Sequence, residues 1–360
     1  MADWLKSMNQ TFEYYIVDPG TWKDSKKLET VKSCTITRDA ETETRGSATI
    51  DVTDSLGEAY IRVYLITSQN GVTEKHPLGT FLVQTPSSSF DGKKRDISMD
   101  AYTPLIELKE SPPPLGYSIL KGESILENAY LICREHVRAP VVKAYSELCD
   151  DPLYDDFVAN TDDTWMSFLS DLIANAKYHF DLDEMGRILF APKQDTASLQ
   201  PVWEFNDDTS SILYSDITME HDYYGIPNVV EVIYSKGNEF YYAKAVNDDK
   251  NSPTSTVNRG REIIHRVSNP NFVGDPTNRQ IEEYAKQLLK ELSSVEYTIT
   301  YTHGYCPVRL GDCVLLNYSR AGIDGIKARV ISQSIKCESG CSVTEKAVFT
   351  KKLWGDDSWN

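Results

Sequence analysis

Three consecutive prolines, Pro112–Pro114, set the first limit on the fold, because neither a helix nor a central strand continues through such a run. On their N-terminal side the chain alternates with period two in Cys34-Thr35-Ile36-Thr37, Ala48–Val52 and Tyr60–Ile66, and Asp18-Pro19-Gly20, Asn70-Gly71 and Asp91-Gly92 punctuate it as turns. No longer helical period competes there. Residues 1–110 are therefore expected to form a first barrel-like β domain.

Beyond the prolines the texture changes. Glu123–Val137 reads as a helix with Ile125, Ala129, Ile132 and Cys133 on one face, and Ser124 with Glu127 gives a capping box. A second helix, starting near Thr164, buries Trp165, Phe168, Leu169, Leu172, Ile173 and Ala176 and runs into Tyr178–Leu182, which alternates with period two. Asp183-Glu184-Met185-Gly186 turns the chain into Arg187–Pro192, so residues 111–200 are expected as a peripheral α+β domain built on a helix and a hairpin. Between the helices Asp150, Asp151, Asp155, Asp156, Asp162 and Asp163 make an exposed acidic connection.

Strand signals resume in Asn228–Tyr234 and Phe240–Val246, and a polar, turn-rich stretch follows at Asn247–Gly260. A helix from Thr277 to Leu292, entered through Asp275-Pro276, is apolar at Ile281, Tyr284, Ala285, Leu288, Leu289 and Leu292. Val295–Tyr301, Cys313–Tyr318, Lys327–Ser332 and Ala347–Thr350 return to strands, and Trp354–Asn360 is expected to fray. Residues 201–360 thus form a second β-rich part with one helix and a small insertion near 235–275. The fold class expected is mainly β with α+β parts: two barrel-like β domains plus a helix–hairpin peripheral domain.

At 360 residues the chain is longer than one hydrophobic core usually serves. A formal charge of −17 has the wrong sign for holding phosphates or anionic lipid heads, so nucleic acid is disfavoured as a tightly held ligand. Neither a leader sequence nor a membrane-spanning run is read from the residues, and no stable membrane association is expected. Seven cysteines, an odd number, read as reduced thiols in apolar sites.

Phosphate-binding glycine loops, zinc-protease helices and nucleophile elbows are absent from the sequence. Cys306, Cys313, Cys337 and Cys341 supply enough thiolates for a zinc site, but their spacing fits poorly and buried thiols are the expectation. Asp181–Gly186 begins like a calcium loop yet reaches Pro192 where a bidentate Glu is required, which leaves a hairpin turn. Cys306 with His303 lacks a separate orienting element for thiol catalysis. One alternative from another class is a carbohydrate-active β protein using Asp216 or Glu220 beside Trp203 and Tyr223, and another is a host-surface glycan-binding module. No catalytic, cofactor-binding or metal residue is assigned, and no cofactor is expected. Gly186 and Gly311 are the structural turn candidates, Gly311 because Arg309-Leu310-Gly311-Asp312 lies between two apparent strands.

Taken in order, these elements resemble the baseplate hub or tail-tip hub proteins of tailed phages and related tail-like injection machines. The residues that carry the resemblance are Asn228–Val232, the polar Asn247-Asp248-Asp249, Asn258–Arg261, the helix with Ala285, Leu288 and Leu289, Cys306–Val314, and the hairpin Asp183–Pro192. The resemblance implies a homotrimer whose paired barrels form a pseudo-sixfold ring, a symmetry adaptor between the tail tube and the central tip or spike. It implies as partners the tail tube or distal tail proteins, the tape-measure protein, the spike or tip protein and other baseplate proteins, with DNA only in transit. It places the chain in the virion tail, assembled in the host bacterial cytoplasm. Because the sequence stops at Asn360, any lytic role is expected of another chain, and the protein is expected not to be an enzyme. Net charge does not fix local charge, and a basic band inside such a ring, including Lys93, Lys94 and Arg95, is compatible with it.

Overall fold

The computed structural model describes residues 2–354 apart from 55, 91, 94, 145–151, 195, 210, 237–238, 271 and 273–275. Asp150 and Asp151 of the acidic connection, Asp91, Lys94, Asp275 and the tail past Trp354 therefore lie outside the described residues.

Strands β1 (Asn9–Asp18), β2 (Lys23–Lys27), β3 (Val31–Asp39), β4 (Gly46–Val52), β5 (Tyr60–Gln69), β6 (Val72–Phe90) and β7 (Arg95–Tyr102) come first. A 3-10 turn at Pro104–Lys109 leads to β8 (Ser118–Ile119), α1 (Ile125–His136), β9 (Phe157–Val158), α2 (Trp165–Asn175) and the hairpin of β10 (Tyr178–Leu182) and β11 (Ile188–Pro192). Then follow β12 (Trp203–Asn206), β13 (Leu213–His221), β14 (Val229–Lys236), β15 (Glu239–Val246), α3 (Thr256–Arg259) and β16 (Ile264–Ser268). The chain closes with α4 (Asn278–Leu292), β17 (Ser294–Gly304), β18 (Cys313–Tyr318), β19 (Ile323–Lys336) and β20 (Ser342–Lys352). The protein is mainly β with a few helices. It divides into two compact units, Met1–Ile217 with Thr300–Ala347 and Thr218–Ile299 with Val348–Asn360.

In the first unit the period-two alternation of the sequence becomes the core. Antiparallel register sets Ile36 opposite Ala48, Cys34 opposite Ile50, Ile50 opposite Met99 and Val52 opposite Ile97, and all of these side chains are buried. Each such fully buried aliphatic side chain stabilises the fold by about 1.5–3 kcal/mol relative to exposure. Pro77 is accommodated inside β6 because the register with β5 shifts there, at a bulge, where a missing N–H is tolerated. The first seven strands do not stand alone: β19 pairs antiparallel with β3, Ser332 opposite Asp39 through Lys336 opposite Thr35, which joins C-terminal strands to N-terminal ones.

The strand run ends earlier, at Tyr102, and Pro112–Pro114 lie between the 3-10 turn and β8, where Trp165 N–H is tied to Ser111 C=O at 3.1 Å. Ser124 Oγ caps α1 by accepting from Glu127 N–H at 3.2 Å, and Thr164 with Ser167 forms a capping box on α2. Leu126, Ala129, Ile132 and Cys133 of α1 pack with Phe168, Leu169 and Leu172 of α2 and with Tyr178 and Ile188 of the hairpin. Asp155, Asp156 and Asp162 of the acidic connection are exposed.

In the second unit β14 pairs antiparallel with β15 and parallel with β16. Val230, Val232, Ala243 and Ala245 form the face that Ile281, Ala285 and Leu289 of α4 cover. Thr277 and Gln280 close a capping box at the start of α4. Within the polar stretch at Asn247–Gly260, Asn247, Ser252, Thr254 and Ser255 are buried while Asp248–Asn251 are exposed. Asn228 Nδ2 donates to the carbonyls of Thr254 (3.1 Å) and Arg261 (3.0 Å), Ile263 N–H donates to Asn228 Oδ1 (2.7 Å), and Asn247 Nδ2 donates to Ser252 Oγ (2.9 Å). Two fully buried amides thus satisfy loop backbone that has no ladder to join.

Candidate functional site

The richest polar constellation in the first unit surrounds the turn of the β10–β11 hairpin. The turn closes through Gly186 N–H to Asp183 C=O (2.9 Å), and Asp183 Oδ1 accepts from Arg187 N–H at 2.8 Å. Gly186 has φ +74, and a Cβ there would stand 2.7 Å from Thr80 Cβ and 3.2 Å from both Thr80 Oγ1 and Trp22 Cζ2. Glycine is required twice over, for its left-handed backbone and for the approach of β6. Gly311 also has φ +84, but among the described residues nothing lies within 4 Å of its Cβ position.

Two side chains grip the turn from the strand side. Trp22 Nε1 donates to Met185 C=O at 2.8 Å, and Arg62 Nη2 donates to the same carbonyl at 3.1 Å. Arg62 is 1% exposed although it lies within the apolar run of β5. Its guanidinium is satisfied by Thr80 Oγ1 (2.9 Å), Asp24 Oδ1 (2.8 Å) and Trp22 C=O (3.4 Å), so the buried charge has both a counter-ion and directed acceptors. From the C-terminal side Arg309 Nε meets Glu184 Oε1 at 2.7 Å, and its Nη2 donates to Leu182 C=O at 2.7 Å. The turn is thereby held by residues far apart in sequence.

The network continues into the core. Arg38 donates through Nη2 to Leu78 C=O (2.6 Å) and through Nη1 to Gln333 Oε1 (3.0 Å). Gln333 Nε2 donates to Val308 C=O at 2.9 Å and to Glu345 Oε1, while Tyr301 O–H donates to Glu345 Oε2 at 2.6 Å. Burial pushes the Glu345 carboxyl up, but the adjacent His303 and the hydrogen bonds from Tyr301 and Gln333 outweigh it and hold the carboxyl below its ordinary value.

This arrangement corrects the expectation that Cys306 and His303 lack an orienting group, since Glu345 Oε1 on β20 stands 3.3 Å from His303 Nε2. The contact is close but not a well-directed hydrogen bond, and Nε2 has no other partner. The result has the outline of a thiol triad without its chemistry. His303 Nδ1 donates to Gly304 C=O at 2.7 Å, so the nitrogen 3.8 Å from Cys306 Sγ already carries its proton and offers no lone pair to the thiol. Burial also pushes the Cys306 thiol far up, away from the thiolate a nucleophile needs.

The remaining candidates are dispersed. Cys337 lies beside Cys34, with Cys337 N–H bonded to Cys34 C=O at 2.9 Å, while Cys313 is on β18 opposite Arg329. Among the described residues no group of His, Cys, Asp and Glu converges as metal ligands. Asp216 and Glu220 are exposed on β13, and Tyr223 O–H lies 3.5 Å from Tyr297 O–H. Also among the described residues, no helix is long and apolar enough to cross a membrane.

Sequence reasoning had missed Arg62, Arg38, Arg309 and Glu345. A single arginine within Tyr60–Ile66 was the one legible signal, because an ion in a buried strand must be paired.

No family model matches the chain, and no curated protein matches it by sequence. Solved structures do match in fold over nearly its whole length. A tail protein from Neisseria meningitidis aligns with TM-score 0.62 and 15% identity, covering 94% of this chain and 97% of that one. The 43 kDa tail protein of prophage MuSo2 from Shewanella oneidensis aligns with TM-score 0.59 and 11% identity, covering 94% and 98%. A chain of the Francisella PdpA–VgrG complex aligns with TM-score 0.57 and 9% identity over all of this chain and 56% of its own length. The protein has the fold of phage and prophage tail proteins.

Proposed function

We propose that the chain is a structural protein of a phage tail or related injection machine, acting as a trimeric baseplate or tail-tip hub that adapts the tail tube to the central tip or spike. The observation that carries this reading is the end-to-end match to a tail protein, in which both chains are covered almost completely. The site geometry supports it: charged side chains fix the hairpin turn to strands from both ends of the chain, and the triad-shaped group is buried with its histidine proton held by a backbone carbonyl.

In this reading residues 1–110 and 201–360 supply the ring and 111–200 decorates its periphery. The partners are further copies of the chain, tail tube or distal tail proteins, tape-measure protein, spike or tip protein and other baseplate proteins. The location is the virion tail, and the role is not enzymatic. An acidic chain of formal charge −17 suits a channel wall that DNA passes without adhering.

The test is immunogold labelling of purified particles together with quantitative mass spectrometry. Label at the distal end of the tail with a copy number of three supports the proposal. Absence from particles, or a copy number like that of a tube protein, overturns it.

A further inference from the structure

We propose that the pocket between the loop at 40–45, α2 and β10 is an anion site that takes a carboxylate carried on an apolar stem. The cavity is about 270 Å3. Its floor is apolar, with Met166, Ile173 and Phe180 all buried, and Arg45, His179 and Lys193 reach it from three different segments. Neither Arg45 nor Lys193 is ion-paired inside the pocket among the described residues, and His179 is uncharged at neutral pH. Among the described residues Lys193 and the nearby Arg329 have no ion-pair partner, and neither ring nitrogen of His179 has a hydrogen bond.

Every charge facing His179 can be named. Burial first, and then the cations Arg45, Lys193 and Arg329, push its imidazole down to about 4. Arg45 itself, with Nη1 on Ala40 C=O, is pushed down by burial and by Arg329, with Asp181 and Asp39 offsetting. Two further carboxylates, Glu41 and Glu43, line the rim, and Glu43 is engaged by Lys109 at 2.6 Å. Arg45 and Arg329 are half-buried and Lys193 is exposed at the mouth, and positive charge held partly out of water is costly when no counter-ion is supplied. An incoming carboxylate offsets that cost, and its stem covers the apolar floor. A phosphate dianion fits less well, because Glu41 and Glu43 repel its second charge and the floor offers its remaining oxygens nothing.

The inference is independent of the hub reading and is tested on the full chain. Histidine is labelled with 13C at Cε1, the His179 resonance is assigned with His179→Gln, and hexanoate, hexanamide and inorganic phosphate are titrated in turn at pH 7. Hexanoate is expected to shift the His179 signal saturably while hexanamide does not. Lys193→Glu should weaken hexanoate by about tenfold or more, whereas Lys352→Glu, the same charge change on the other unit, should leave it within about twofold. A parallel arm compares the capped tripeptide Ac-Ala-Glu-Ala-NH2 with its Gln counterpart. Tighter binding by the tripeptide than by hexanoate assigns the carboxylate to a partner protein, and the reverse order assigns it to a free acid. The proposal is overturned if hexanoate gives no saturable shift, if hexanamide equals it, if phosphate alone binds, or if Lys352→Glu weakens it as much as Lys193→Glu does.

Discussion

Replacing Gly186 by alanine separates two costs that glycine avoids at the hairpin turn. The backbone at φ +74 charges an L-residue about 1–2 kcal/mol for the left-handed conformation. The new methyl would then meet Thr80 Cβ at 2.7 Å, far inside contact distance, and overpacking of this kind adds about 1–3 kcal/mol. Thr80 has little freedom to retreat, because its Oγ1 accepts from Arg62 Nε at 2.9 Å. The sum is about 2–5 kcal/mol. Gly311→Ala is the internal control: φ is +84 but the Cβ position is open, so only the conformational part remains, about 1–2 kcal/mol. Both variants gain the same small stabilisation from a stiffer unfolded chain, which cancels between them. The assay is urea unfolding with hydrogen exchange followed on peptides spanning 178–192, reading the midpoint at constant slope. A loss in Gly186→Ala no larger than that in Gly311→Ala would refute the argument that the turn is pressed against β6.

Arg62→Met should cost about 3 kcal/mol, since it strips Asp24, Thr80 and two carbonyls of their shared donor, and it should raise exchange at Met185 before it affects α4. Glu345 has a carboxyl held below its ordinary 4.5, so its contribution is complete above that value and is lost as pH falls through the lower folded one. Glu345→Gln should therefore lower stability at neutral pH and flatten the dependence below about pH 4.5, a profile that parallel melts of both proteins would show. Duplex DNA titrated against the assembled protein across a salt series should show only weak binding; sub-micromolar affinity near physiological salt with a steep salt slope would contradict the conduit reading.

What the sequence made legible was local. Period-two runs such as Ala48–Val52 became strands with the alternate residues buried, and Pro112–Pro114 fell where strands give way to helices, because both effects act within a few residues. Long-range pairing was not legible. Nothing in Thr35–Asp39 announces that its partner is Ser332–Lys336, since register depends on matching faces and turns across the whole chain. The same holds for the site. Gly186 was marked by its turn, but its second constraint, the wall formed by Thr80 and Trp22, exists only once β6 and the hairpin meet. Asn247–Gly260 was legible as polar and turn-rich, but not that Asn228 and Asn247 are buried beneath it, where they hydrogen-bond the loop.

The central claim is architectural, and imaging of the assembled particle at the junction between tube and tip tests it most directly. The account predicts three copies of this chain arranged around a central opening, with the β-rich parts of each copy alternating around the ring. A twofold arrangement, a simple sixfold ring with one β domain per subunit, or a density that leaves no passage would contradict it.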